Sequence, residues 1–394
     1  MQYTLLVTDR NLTIVGDPIV CWTSIDVSLR FNQPGSGQAV MPGSPWIREQ
    51  MQTGNRVVVI RGPDPAVDYP GRVLLAGPIE ERLYERSDDG ANGGDGKLTV
   101  TFADDLAWIA GRITYPNPGK APDQQDVEAW TFTGNAEQAM RTLVDLNAGP
   151  RALPERRVPQ LVLGATAGIG STVTVKTRLE VVTDVLRTTA ASGGDLGFRT
   201  RQDDRQILFE VYRPDDRSAE VRYSFDLGNV KYVGYTVESS KVSAAIVGGQ
   251  GAGADRFVLE RTDPASVAAW GRVETLVSRP GNDAVAELQK AGDEALAEGG
   301  QSARLAATTM DTPTQRYGVH YDVGSTVAME LWPGEVVTDR VQTVHLQAYA
   351  TAGEVVTSTI GSQAASYDPA WVIRLRDIDS RVGRLERTVQ PARP

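Results

Sequence analysis

What most constrains this chain is a recurrence of short alternating segments separated by turns. Ile25, Val27, Leu29 and Phe31 alternate with polar residues, the period of a half-buried strand, and 32–37 then breaks the run with Pro34 and Gly35. Further strands are expected over 38–41, 56–61, 71–84 and 97–102, the last with Leu98, Val100 and Phe102 on one face. Ser44 and Pro45 open a short helix through Trp46, Ile47 and Met51 that Gly54 closes, and 88–96 reads as a flexible hairpin tip. Many short strands joined by turns predict a small barrel or a sandwich over residues 1–118.

The pattern changes after a linker at 115–126 rich in Pro, Gly and Gln, and 119–225 reads as a mixed α/β domain. A helix over 135–146 places Ala136, Met140, Leu143 and Val144 on one side and stops at Gly149 and Pro150. Thr177 with Glu180 reads as a capping box opening a second helix that ends at Gly193 and Gly194, and strands follow at 206–213 and 219–225. Strand character dominates again over 226–365, at 230–247, 256–260 and 319–360. A helical insertion at about 263–300 interrupts it, opened by Asp263 and Pro264 and continued by a longer helix at 282–298. The class is therefore β-rich α+β, and no short-period repeat is present.

The last segment, 366–394, is a helix with a seam. Asp368 and Pro369 supply the start, and Trp371, Leu375, Ile378, Val382, Leu385 and Val389 are spaced alternately by four and three, the a/d pattern of a coiled coil. With Leu375 as a, Arg374 and Arg381 fall at g, while Asp379 and Glu386 fall at e, so parallel neighbours in one register would pair opposite charges. Leu375 with Ile378 favours three or four strands, and Val382 with Leu385 favours two. The competing reading is an amphipathic helix docked on its own body, which Ile373 at an outer position supports. The seam is short, so the body of the protein must help any self-association.

Composition excludes several classes. The net charge is −10 over 394 residues, which argues against tightly held nucleic acid and against an anionic membrane surface. The apolar N-terminal stretch contains Asp9 and Arg10 and lacks a basic leader region, and no run of 18 apolar residues occurs, so neither a signal peptide nor a membrane span is expected. The single cysteine, Cys21, excludes an internal disulfide and is expected as a small buried hydrophobe beside Trp22.

The sequence carries no local signature of catalysis. His320 and His345 lie in strand-like stretches outside any metal-ligand spacing, so no cofactor or metal is expected. GGQGAG at 248–253 follows a strand but precedes another, against a dinucleotide fingerprint, and GATAGIG at 164–170 lacks the Lys and Ser/Thr of a phosphate loop. Two acid pairs could in principle serve glycoside hydrolysis. Glu80 and Glu81 are strand neighbours that face opposite ways, and Asp104 with Asp105 suits the start of the short helix DDLAWIAG, so solvated or capping roles are expected.

Four stretches carry a resemblance. RFNQPGSGQAVMP at 30–42, DDLAWIAGR before a Pro-rich exit, IVGGQGAGADRFV followed by DPASVAAWGRVE, and YGVHYDVGSTVAMEL at 317–331 occur in an order and spacing that resembles the tail hub, or minor tail protein, family of siphophages infecting actinobacteria. The resemblance implies a homotrimer of two-barrel subunits, similar in plan to the central hub of contractile tails, with six barrels adapting a hexameric tube to a threefold tip. It implies a structural role in the virion, assembled in the host cytoplasm, with the distal tail or tail tube protein, the tape measure protein, and tip or receptor-binding proteins as partners. Stable nucleic-acid binding and membrane insertion are not expected. The alternatives are a tail-associated cell-wall hydrolase, against which stands the end of the sequence soon after the heptads, and a carbohydrate-binding tip protein. The seven tryptophans that could serve the latter, Trp22, Trp46, Trp108, Trp130, Trp270, Trp332 and Trp371, lie mostly in patterned stretches where burial is expected.

Overall fold

A computed structural model describes residues 2–63, 69, 71–87, 94–280, 284–300 and 302–361, and the expected seam at 366–394 lies outside them. In chain order the elements begin with β1 (Tyr3–Thr8), β2 (Ser24–Arg30), β3 (Ser36–Pro42), α1 (Pro45–Gln50), β4 (Arg56–Arg61), β5 (Arg72–Glu85), β6 (Lys97–Ala103) and α2 (Leu106–Ala110). There follow β7 (Trp130–Asn135), α3 (Ala136–Asn147), β8 (Leu161–Leu163), β9 (Thr172–Thr177), α4 (Val182–Ser192), β10 (Gly197–Asp203), β11 (Gln206–Tyr212) and β12 (Arg222–Tyr223). The remainder comprises β13 (Val230–Glu238), β14 (Ala244–Gly248), β15 (Val258–Thr262), α5 (Pro264–Trp270), β16 (Glu274–Ser278), α6 (Val285–Gly299), β17 (Ser302–Met310), β18 (Thr326–Trp332), β19 (Glu335–Tyr349) and β20 (Gly353–Gly361).

Two compact units result, one formed by 1–232 with 307–361 and one containing 233–306. The dominant sheet runs β1-β4-β5-β6-β3-β2-β19-β20-β17-β13, with β18 on β19 and β12 on β18, twelve strands in all. Its path is open, so among the described residues no sheet closes into a barrel. The two β regions that the sequence separates are joined here, because β2 pairs along β19 from Ser24 opposite Tyr349 to Arg30 opposite Thr343.

Two long strands turn the corners of this sheet. β5 pairs with β4 over 72–78 and with β6 over 79–85, and its register shifts between Ile79 and Glu81. β19 likewise pairs with β18 over 335–340 and with β20 over 341–349, shifting between Val341 and Thr343. An irregularity of this kind bends a strand and lets it serve two sets of partners. The core follows the alternation read from sequence: Ile25, Val27, Leu98, Val100 and Phe102 are all buried. Gly37 is required opposite that row, because a Cβ there would meet the Phe102 ring at 2.2 Å.

The α/β segment of the same unit packs α3 and α4 on short sheets around Met140, Leu143, Leu186, Phe198 and Phe209. Asn135 caps α3 by accepting from the Gln138 N–H at 3.3 Å. The capping box is corrected. Thr177 ends β9, its hydroxyl meets Thr114 at 2.8 Å and Glu180 at 3.1 Å, and α4 begins only after Val181, without a side-chain cap. The strand expected over 219–225 shrinks to Arg222–Tyr223.

In the second unit, β14 lies between antiparallel β15 and parallel β16, and α6 covers one face through Val247, Leu288 and Ala291. Asp263 caps α5 by accepting from Ala265 and Ser266. Among the described residues no helix is long and apolar enough to cross a membrane.

Three expectations about single residues fail. Cys21 is exposed. His320 sits in a turn and accepts the Arg316 N–H on Nδ1 at 3.0 Å, whereas His345 does lie in a ladder, 2.7 Å from Asp26. Trp46, Trp270 and Trp332 are 41%, 45% and 57% exposed, so pattern alone does not bury these rings.

Candidate assembly site

The stretches that punctuate the sequence become the points where distant segments of the large unit are tied. After β2 the chain reaches Asn32, which adopts a left-handed φ of 54° that asparagine tolerates. Its buried amide donates to the Leu196 carbonyl at 3.0 Å and accepts the Phe198 N–H at 2.8 Å, as a paired strand would. Three residues on, Gly35 donates to Asp104 Oδ2 at 2.7 Å and accepts the Asp104 N–H at 3.2 Å. The other Asp104 oxygen accepts from Leu106 at 3.0 Å. Burial lifts Asp104 to about 7, opposed by the Gly35 hydrogen bond and reinforced by the Asp105 charge.

β4 carries an arginine at each end, and both are buried. Arg56 pairs with Asp105 and donates to Thr8 at 2.9 Å and Gln202 at 3.2 Å, so it joins β1, the start of α2 and β10. Asp105 is only 2% exposed, hence a fixed counter-ion instead of a solvated acid, and burial pushes its pKa up against the pull of Arg56. Arg61 pairs with Glu354 of β20, donates to the Tyr317 carbonyl at 3.1 Å, and lies over the Tyr69 and Tyr317 rings. Tyr3 donates to the same Glu354 carboxylate, and burial raises its pKa. Behind Tyr317, Asp311 accepts from the Tyr317 N–H at 2.8 Å and the Tyr321 hydroxyl at 2.6 Å, and burial raises it to about 6.

Between these ties lies a cavity of about 470 Å³, walled by 72–76 of β5, 198–202 of β10, and Arg30, Asp104, Tyr212, Tyr317 and Asp322. Arg72 crosses it to Asp322 at 2.8 Å and stacks 4.6 Å from Tyr317. Arg199 and Arg201 share one carboxylate, Glu210, at 3.1 and 3.0 Å. A second cavity of about 440 Å³ shares Val73 and Gln202 with the first.

The arrangement suits rigid assembly better than acid–base chemistry. Asp104 and Asp105 are each engaged by fixed donors, and Glu80 and Glu81 are exposed at the irregularity of β5. The 164–170 loop folds its amides inward: Ala167 and Ile169 donate to Glu137 at 2.9 Å each, and although burial opposes its charge, these bonds hold its pKa below the usual range. Among the described residues no group of three or more His, Cys, Asp or Glu could hold a metal ion. The residues assigned to self-association, Leu375, Ile378, Val382, Leu385 and Val389 with Arg374, Asp379, Arg381 and Glu386, lie outside the described residues. The sequence reading missed Asn32, Arg56, Arg61, Arg72 and Glu354. The one signal available, for Arg56 and Arg61 alone, is RVVVIR, a strand too apolar at its centre to end in two solvated charges.

This fold is the fold of phage and prophage tail proteins. The chain is similar to the tail protein from Neisseria meningitidis MC58, with 14% identity, 92% of this chain and 98% of that one covered, and a TM-score of 0.51. It is similarly related to the prophage MuSo2 43 kDa tail protein from Shewanella oneidensis (12%, 91% and 98% covered, 0.52) and to the prophage tail protein gp18 from Listeria monocytogenes EGD-e (11%, 94% and 97% covered, 0.51). The chain belongs to the Siphovirus ReqiPepy6 Gp37-like protein family, whose model matches residues 4–362. No curated protein matches it in sequence. The resemblance drawn from the four motifs, to a siphophage tail protein, agrees with both findings.

Proposed function

We propose that the chain is a tail-tip hub: three copies close into a ring that joins the tail tube and distal tail protein to tip or host-binding proteins. Its axis leaves passage for the tape measure protein and the DNA. The observation that carries this reading is the repeated corner geometry of β5 and β19. On this reading the parts of the sheet around the two corners would be the counterparts of the two barrels the resemblance implies, and three chains would offer six positions to a hexameric tube. The heptads at 366–394 would close the trimer, with Arg374 beside Asp379 and Arg381 beside Glu386 of neighbouring chains. A net charge of −10 per chain suits a lumen through which phosphates slide without sticking. The role is structural and not enzymatic. Trp46 and Trp332, both exposed, support carbohydrate binding at the tip as the second reading, which quenching of their fluorescence by host cell-wall polysaccharide would test.

Light scattering behind a sizing column tests the ring. A mass of three chains is expected at tens of micromolar, a concentration chosen as roughly above a typical specific Kd. Changing Arg374 and Arg381 to Glu should weaken it, and adding Asp379→Arg with Glu386→Arg should restore it. A monomer throughout would contradict a self-sufficient ring, and failure of the second pair to rescue would contradict the parallel seam.

A further inference from the structure

The dominant sheet repeats its own plan. Beyond their corners, β5 and β19 each begin a run of strands, β5-β6-β3-β2 and β19-β20-β17-β13, and the β2–β19 ladder joins the two runs. Counted from the residue just past each register shift, the rows correspond. In the first run Glu81 stands beside Thr101, Thr101 beside Gln38, and Gln38 beside Asp26. In the second, Thr343 stands beside Thr359. The Asp311 N–H donates to the Val356 carbonyl and that of Met310 to the Asn229 carbonyl, which carries the row on to Thr308 and then Lys231. Lys231 therefore holds the place of Asp26, and Glu81 that of Thr343. Burial agrees, since Ile25 and Val230, each one residue back, both face the core.

The runs differ from the junction between them at their outer ends. β13 is the last strand of the path, and β5 loses β4 after Pro78, where the Ile79 N–H still donates to the Asn55 carbonyl at 2.9 Å. Among the described residues neither edge has a further strand partner. The β1 end, by contrast, is covered by its own chain: Leu5 and Ile19 exchange bonds of 3.0 and 2.8 Å, and Val15 donates to Val7 at 2.8 Å.

Side chains mark the same difference. In the internal junction Val27 stands opposite Leu346, and both are buried. Their counterparts at the open edges are Tyr232 and Tyr84, which are 53% and 38% exposed. Both rings belong to the core face, because Tyr232 is two residues from buried Val230 and Tyr84 is paired with buried Leu98. An uncovered edge bearing aromatic rings is a template for another strand.

We infer that β13 of one copy pairs antiparallel with the 81–85 half of β5 in the next copy, repeating between chains the β2–β19 ladder found within one. The register follows. Asp26 faces Gln347, four residues past Thr343, so Lys231 faces Glu85, and Tyr232 faces Tyr84. Lys231 brings a second cation to a carboxylate that holds Lys97 at 2.7 Å, and the two rings cover each other as Val27 and Leu346 do. Because the two edges are different surfaces, the contact is head-to-tail and closes by rotation. The inference rests on the proposed ring and names the junction that seals it.

In one chain the two tyrosines lie seven strands apart, roughly 34 Å along the sheet at about 4.8 Å per strand, so a disulfide between these positions joins copies. The full chain carrying Cys21→Ser, Tyr84→Cys and Tyr232→Cys, oxidised with copper phenanthroline, should give two- and three-chain species on a non-reducing denaturing gel. Either tyrosine substitution alone should give none, and Tyr84→Cys with Lys231→Cys, which stand on opposite faces, at least about tenfold less. In the unsubstituted chain, hydrogen exchange at 81–85 and 230–232 should slow as the concentration rises through the point where the three-chain mass appears. A three-chain mass with neither the cross-link nor the protection would overturn the inference and leave the ring standing, whereas a monomer would overturn both. A cross-link from Tyr232→Cys alone would also overturn it, by pairing β13 with itself.

Discussion

The two units hold themselves together in different ways. In the large unit the pairs Arg56–Asp105 and Arg61–Glu354 are buried, with side-chain exposures of 1% and 2% and of 1% and 12%. In the smaller unit Arg261–Asp293 and Arg272–Glu260 are exposed by 41% to 52%, and the core gathers around Val247, Leu288 and Ala291. A buried pair adds little net stability but makes every arrangement that leaves it unpaired costly, whereas an exposed pair constrains almost nothing. The large unit is therefore geometrically specified, and the smaller one depends on a few apolar contacts.

The largest effect expected is from Arg61→Ala, which leaves Glu354 buried without its counter-ion and should cost about 3–5 kcal/mol. Calorimetry should show the transition of the large unit moving down while that of the smaller unit stays in place. Leu288→Ala should do the reverse, lowering the small-unit transition by an amount toward the low end of about 2–5 kcal/mol, since a small core can partly collapse on the cavity. If either substitution moved both transitions equally, the two units would be one cooperative body and the contrast would fail.

The smallest effect is one of sign. Asp104 and Asp311 are raised to about 7 and about 6, chiefly by burial, so the folded chain keeps protons that unfolded carboxyls, near about 3.9, have released. Their contribution is full below the unfolded value and is lost as pH rises through 6 to 7. In the smaller unit, the Arg272 hydrogen bond holds Glu260 at about 2, so its contribution is present above the unfolded value and lost only as pH falls toward 2. Going from pH 8 to 5 should raise the large-unit melting temperature and leave the small-unit one unmoved. A fall in the large unit over that interval would show that the two aspartates are ionised in the fold.

Much of this was legible in the sequence, where apolar residues alternate strongly or a cap is explicit. β4, β6 and α3 lie within a residue or two of their expected bounds, and α5 starts where Asp263 and Pro264 place it. β10 and β17 were not seen. GFRTRQD has charges on its outer face and only Gly197 and Phe198 buried, and SARLAATTM is built mainly from Ala and Thr, whose alternation carries little hydrophobic contrast. The candidate site was hidden for a related reason. Asn32, Arg56 and Arg61 look like surface residues in one dimension, and only the partners 164, 49 and 293 positions away explain their burial. The motifs that carried the resemblance mark those places well: Asn32, Asp104, Asp105, Tyr317 and Asp322 all belong to ties in the large unit.

The most direct test of the account is an image. Averaged electron micrographs of the purified chain should show a ring of three copies around a central hole, with six density lobes near the rim. A compact single copy, or an assembly whose symmetry is not threefold, would contradict the hub.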